Sequence, residues 1–266
     1  MKYRTIQPTK KLSRFVRFYW SLEGSVPNGH PYVHRTLANA SPEMIFHYKG
    51  SFEELNQSGQ TEKTFLTGVH AQTDRVRRFI AKSDYGIFGV YLQPYAIPVL
   101  FGVPSSDIKN ELPDLTTLLG GEGERLTEKM MLAGSNVQRL QIINGFLEQR
   151  LTGVDPPGIV NATHQIFNRN GLVNVKNLAA QSSLSQRQFE RKFKEFIGFT
   201  PKSFSKVVRF NALLWNYKRP NASLTEMAYD FDYYDQAHFI QDFKQFSGYN
   251  PKTYFSGKAK EVFYAP

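Results

Sequence analysis

The chain has 266 residues, with 33 Lys and Arg against 23 Asp and Glu, a formal net charge of +10 and no cysteine. Without cysteine there is no disulfide, no thiol nucleophile and no cysteine-ligated zinc finger. No apolar run approaches a membrane span and Met1-Lys-Tyr-Arg4 lacks a signal h-region, so a cytoplasmic protein is expected.

Glycine-punctuated aromatic runs predict strands over Phe15 to Leu22, Glu43 to Tyr48, Thr64 to Val69, Val76 to Ala81 and Ile87 to Leu92. Ala96 to Phe101 and residues 123–151 read as helices. In the second of these, Val137, Leu140, Ile143, Leu147 and Leu151 form one stripe, as core or as a dimer seam. His30, His34, His47 and His70 with Glu43 are residue types that hold zinc or iron. His30-Pro-Tyr-Val-His34 reads as a loop, however, and no compact His-x-His pair occurs. No metal, cofactor or catalytic residue is expected, and the chain is read as a non-enzyme. Gly120-Gly-Glu-Gly123 lacks the preceding strand and the lysine of a phosphate-binding loop. Gly153-Val-Asp-Pro-Pro-Gly158 is a turn-rich junction dividing residues 1–152 from 159–266.

Beyond the junction the chain repeats itself at an offset of fifty residues: Phe189, Phe193, Lys194, Phe196, Gly198, Pro201 and Lys202 recur as Phe239, Phe243, Lys244, Phe246, Gly248, Pro251 and Lys252. Two copies are too few for a solenoid. Phe189, Phe193 and Phe196 share one helix face. Ser185 and Asp235 are suited to N-caps, and Gly198 and Gly248 to left-handed helix stops. Thr200-Pro201 and Asn250-Pro251 then start new helices. Upstream, Asn174 caps Val175 to Gln181, and Ser223-Leu-Thr-Glu226 has capping-box spacing opening Leu224 to Tyr229. The second copy carries one extra residue between Ala228 and Asp235, which predicts a different turn. Each half is thus a short helix, a turn and a longer amphipathic helix, the helix-turn-helix arrangement. Phe204 to about Lys218 reads as a linker helix burying Phe204, Val207, Val208, Leu214 and Trp215, about 22 Å long, and Pro220-Asn221 ends it.

Leu178-Ala179, Ser185 to Phe193 and Gly198-Phe-Thr-Pro201, with Met227-Ala228, Phe231 to Phe243 and Gly248-Tyr-Asn-Pro251, resemble the DNA-binding domain of the AraC/XylS family of bacterial transcription regulators. Tyr234-Asp-Gln-Ala-His-Phe239 is close to the family's second signature, while Asp230 stands where a glycine is usual. Tyr19-Trp20, Pro42-Glu43, Gly68, Gly89 and Gln93-Pro94 resemble the sensor-type domain found ahead of some such domains. The resemblance implies an α+β protein: a β-rich cupin-like N-terminal domain with helices, then an all-α domain carrying two helix-turn-helix motifs joined by a linker helix. It further implies a transcription regulator of double-stranded DNA, activation through RNA polymerase being the commoner role in that family and promoter occlusion the alternative. Its N-terminal domain would take a small-molecule effector, pair with a second copy of the chain, or both.

Residues 161–219 hold 11 basic and 2 acidic residues, whereas residues 220–266 hold 4 and 6. Lys and Arg release counterions from phosphates, so the first motif is expected to dominate. Its outward set is Gln186, Arg187, Glu190, Arg191 and Lys194. Arg187 and Arg191 can read guanine, and Glu190 can accept from cytosine or orient either arginine. The second set is Gln236, Ala237, Ile240 and Gln241, suited to adenine and to thymine methyls, with Asp235 and Asp242 repelled by phosphates and His238 left as contact, packing or cap. The two helices would enter grooves about 34 Å apart. For an effector pocket the candidates are Trp20, Arg35, Glu43, Tyr48, Tyr91, Gln93 and Tyr95. The alternatives are a sequence-blind architectural DNA binder and a cupin-type metalloenzyme fused to a DNA-binding domain.

Overall fold

A computed structural model describes residues 1–27, 30–56, 58–151, 156–216 and 223–256. Its strands are β1 (Lys2–Ile6), β2 (Val16–Gly24), β3 (Tyr32–Thr36), β4 (Glu43–Lys49), β5 (Glu53–Leu55), β6 (Thr61–Lys63), β7 (Thr67–His70), β8 (Arg77–Ala81) and β9 (Tyr85–Leu92). They form two antiparallel sheets, β1-β2-β9-β4-β7 and β3-β8-β5-β6. Leu22, Ile45, Phe52, Phe79, Ala81, Tyr85 and Ile87 fill a core between them. The alternate residues of the larger sheet, among them Met44, Phe46, Phe88 and Val90, join a second core with the helices. β9 lies between β2 and β4 and is buried at every position, as a strand covered on both faces must be. Its Gly89 is the cross-strand partner of Trp20, and a methyl group there would overlap the indole.

Four of the five predicted strands are present with shifted ends, the one over Thr64 to Val69 survives only as β7, and β1, β3, β5 and β6 are additional to them. The sequence His30 to His34 is not all loop: Pro31 ends the loop, and β3 begins at Tyr32 and includes His34. Thr64 to Val69 is not one strand, because the Thr64 hydroxyl donates to the Phe52 carbonyl at 2.7 Å in the bend between β6 and β7.

Helices α1 (Ala96–Phe101), α2 (Ser105–Ile108), α3 (Leu115–Leu119), α4 (Gly121–Leu132) and α5 (Asn136–Gln149) complete the N-terminal half. The single helix expected over 123–151 is broken between α4 and α5. Ser135 caps α5 by accepting from the Gln138 N–H, and buried Arg139 donates to the carbonyls of Met130 and Ala133, closing the end of α4. The inward face of α5 is consequently Arg139, Ile143 and Leu147, while Val137, placed inward by the stripe, is 65% exposed.

The remaining helices are α6 (Pro157–Asn168), α7 (Val175–Gln181), α8 (Gln186–Ile197), α9 (Pro201–Asn216), α10 (Leu224–Asp230), α11 (Gln236–Ser247) and α12 (Pro251–Phe255). α9 is the linker helix. It starts at Pro201 rather than Phe204, with Thr200 Oγ1 accepting from the Ser203 N–H. Phe204, Val207, Val208, Phe210 and Leu213 are its buried side, whereas Trp215, expected inward, is 54% exposed. Lys218, Pro220-Asn221 and Gly153 to Asp155 of the junction lie outside the described residues.

Candidate nucleic-acid interface and interdomain cavity

The two helix-turn-helix motifs share one construction. α8 opens on a capping box between Ser185 and Gln188, and α11 on Asp235, whose carboxylate accepts from the His238 N–H at 2.7 Å. Each ends on a left-handed glycine, Gly198 at φ +82° and Gly248 at φ +73°. Phe189 and Phe193 in α8, and Phe239 and Phe243 in α11, are fully buried or nearly so; Phe196 is half-buried against the same core, and Ile197 completes that face of α8.

The turns coincide more closely than the sequence suggests. Ser183 and Asp232 both sit at φ +54°, and the next N–H, of Leu184 or Tyr233, donates back to the carbonyl of Ala179 or Ala228. Asp232, followed by the aromatic Tyr233, therefore holds the left-handed position where glycine would be easiest, and Asp230 is the last helical residue of α10. The extra residue of the second copy is Tyr234, 90% exposed immediately before the cap.

On α8, Gln186, Arg187, Arg191 and Lys194 are exposed as expected, together with Lys192, which stands beside Arg191 outside the predicted set. Glu190 is half-buried and accepts from Gln186 Nε2 at 2.8 Å rather than orienting either arginine. On α11, Gln236, Ala237 and Gln241 are exposed, and Gln236 Oε1 accepts from the Thr225 hydroxyl at 3.0 Å. Ile240 is half-buried against the core. Asp242 does not face solvent: it is 5% exposed and pairs with Lys206 Nζ of α9 at 3.2 Å. Its repulsion of phosphate is thereby removed, because the carboxylate is spent inside the domain. His238 packs edge-on to Tyr233, with Nε2 at 3.3 Å from Lys206 Nζ.

A cavity of about 340 Å³ lies between the sheets and the C-terminal helices. Trp20, Glu43 and Tyr91 line it, as do Arg17, Asn39, His34, His47 and His70; Phe167 of α6 and Val208, Asn211, Leu214 and Trp215 of α9 close the far side. The Glu43 carboxylate accepts from Trp20 Nε1 at 3.1 Å, and burial pushes its pKa up to about 7. Burial also lowers His34 and His47 to about 4, so both imidazoles are neutral at pH 7. Of His30, His34, His47 and His70, scattered in sequence, the last three thus meet at one cavity. Among the described residues no group of three or more His, Asp or Glu is placed to hold a metal ion.

Four of the pocket candidates lie elsewhere. Strand alternation turns Arg35 away from the cavity, so that it donates to the Ser247 carbonyl at 3.2 Å. Tyr48 lies under the Arg139 guanidinium, 3.8 Å from its ring centre, and donates to Glu23. The Gln93 N–H bonds the Phe15 carbonyl on the way into α1, and buried Tyr95 donates to the Arg14 carbonyl. The wall that sequence reasoning missed, from α6 and α9, comes from residues far along the chain from the strands and leaves no local sequence signal.

Two capped motifs with open polar faces define a double helix-turn-helix arrangement. Residues 178–257 match the family described as "Helix-turn-helix domain", and residues 4–114 match a "Domain of unknown function (DUF6597)". An "Uncharacterized HTH-type transcriptional regulator" of Haemophilus influenzae is 25% identical over 138 residues, covering 48% of this chain and 45% of that protein. The match thus spans less than half of the relative's length. Distant likenesses in chain course include ToxT from Vibrio cholerae O395, at TM-score 0.45 and 9% identity over 91% of this chain and 98% of that one. The AraC-like transcriptional activator CuxR is more distant, at TM-score 0.27 and 12% identity over 81% and 86%. The C-terminal part of the chain thus carries a helix-turn-helix domain over residues 178–257.

No helix among the described residues is long and apolar enough to cross a membrane.

Proposed function

We propose that the chain is a sequence-specific transcription regulator in which residues 159–266 read two adjacent stretches of major groove and residues 1–152 take a small-molecule effector. The observation that carries this is the pair α8 and α11, whose outward faces stay polar and open while their phenylalanines are buried. The first motif dominates. Exposed Arg187, Arg191, Lys192 and Lys194 neutralise phosphates or read guanine, whereas α11 carries Lys244 alone among Lys and Arg. Gln236 and Gln241 read adenine and Ala237 meets a thymine methyl; half-buried Ile240 contributes less.

The effector reading rests on the cavity, which has the size and the mixed aromatic and polar lining of a ligand site. Because α9 forms one wall, an occupant touches the helix that joins the two motifs. Action on the chromosome implies the cytoplasm, with RNA polymerase and a second copy of the chain as the partners of an activator.

Selection from a random duplex library at two salt concentrations tests the reading. Support is an enriched motif whose strongest half follows changes in α8, with affinity falling steeply as salt rises. Tight but motif-free binding would replace it with an architectural role.

A further inference from the structure

The N-terminal domain touches the two recognition helices at equivalent points of the repeat. In the first, the Phe196 carbonyl accepts from Ser105 Oγ at 2.7 Å, and Lys109 Nζ stands 4.6 Å from the centre of the Phe199 ring. In the second, the Phe246 carbonyl accepts from the Ala38 N–H at 2.8 Å, and the Arg35 guanidinium stands 4.0 Å from the centre of the Tyr249 ring. Phe196 and Phe246 are fifty residues apart, as are Phe199 and Tyr249. The glycines between them are approached just as closely: a methyl on Gly198 would lie 2.9 Å from the Ser105 carbonyl oxygen, and one on Gly248 2.7 Å from Arg35 Nη1.

Both attachments have the same chemistry. A donor meets a last-turn carbonyl that the helix itself leaves unpaired, and a cation lies over the aromatic ring just past the glycine; Arg35 also donates to the helix-end carbonyl of Ser247. One such attachment is what packing alone supplies. Two at matched positions require the N-terminal domain to present the same receptor from two unrelated elements, α2 with its C-cap and the segment from β3 to Ala38. The receptors are also tied together, since Lys109 pairs with Asp74 at 2.7 Å and the Asp74 carbonyl accepts from Gln245 Nε2 of α11 at 3.3 Å. Both grips hold C-terminal ends, and recognition helices read bases with their N-terminal residues. The reading ends therefore stay uncovered.

We propose that these paired attachments make the N-terminal domain a brace that fixes the spacing between the two DNA half-sites, with Arg35, Ser105 and Lys109 as spacing-determining residues that never touch DNA. The proposal rests on the reading that both helices enter the duplex.

The test uses the full chain and duplexes carrying the two selected half-sites at varied separations. The wild type is expected to discriminate about tenfold against a spacer one base pair too long or too short. Arg35→Ala and Lys109→Ala should each reduce this to about two- to threefold, the scale expected for losing one cation–π contact. The half-site sequences should not change, which separates a spacing role from a general loss of folding. Unaltered spacer preference, or an equal loss at every spacer, overturns the brace. Arg35 is buried, so melting curves accompany the assay, and Lys109→Ala with Gln245→Ala carries the test if the Arg35 variant does not fold. A wild type that enriches no half-sites counts against the DNA-reading proposal instead.

Discussion

α8 and α11 begin on side-chain caps, bury phenylalanines at matched positions, end on left-handed glycines and are gripped at the same carbonyl by the N-terminal domain. They part at the position that is Lys192 in one and Asp242 in the other: the lysine is exposed, and the aspartate is buried against Lys206. One helix spends that position on the solvent face, the other on attachment to the linker helix. A repeated scaffold can thus hold its geometry while one copy presents charge to solvent and the other uses it for internal cohesion.

The largest effects should fall on the shared scaffold. Phe193→Ala and Phe243→Ala should each cost about 3–5 kcal/mol by denaturant unfolding, since both rings are fully enclosed. A loss confined to one of them would break the claim that the two are built alike. Next comes the asymmetry of reading: Arg191→Ala should cost about 1–3 kcal/mol of DNA affinity and relax preference at one base pair. Gln241→Ala should cost less, and the reverse order would sink the dominance of the first motif.

Replacing Asp242 with Asn should destabilise the fold by about 1–3 kcal/mol, because Lys206 loses the counter-charge in a half-covered site. Its counterpart Lys192→Ala should change stability by no more than about 0.5 kcal/mol while lowering the salt dependence of DNA binding by about one ion. If Lys192→Ala unfolds the protein, or Asp242→Asn alters the salt slope, the two positions are not divided in this way.

The C-terminal half is legible in the sequence because caps, glycine stops and helical phenylalanine spacing act within a few residues, and the ends of α7, α8 and α11 follow from them. Asp242 is misplaced by such reasoning because its partner lies on α9, and helix periodicity does not say which neighbour a flank residue meets. The N-terminal half yields strands wherever aromatic runs lie between glycines. It hides β3, whose Tyr32-Val-His-Arg-Thr36 lacks a clean alternation, and with it the direction of Arg35. The cavity is half legible: Trp20, Glu43 and Tyr91 follow from their chemistry, whereas the wall supplied by α9 exists only once the two domains meet.

The chain contains two tryptophans, and Trp20 and Trp215 both line this cavity, one from the sheet and one from the linker helix. All of its indole fluorescence accordingly originates at the boundary between the domains, with no remote tryptophan to dilute the signal. Emission should shift when a molecule enters, and again near pH 7 as Glu43, bonded to the Trp20 indole, gains or loses its proton. Small-molecule libraries can therefore be screened against the unlabelled protein, with Trp215→Phe separating the signal of the sheet from that of the linker helix.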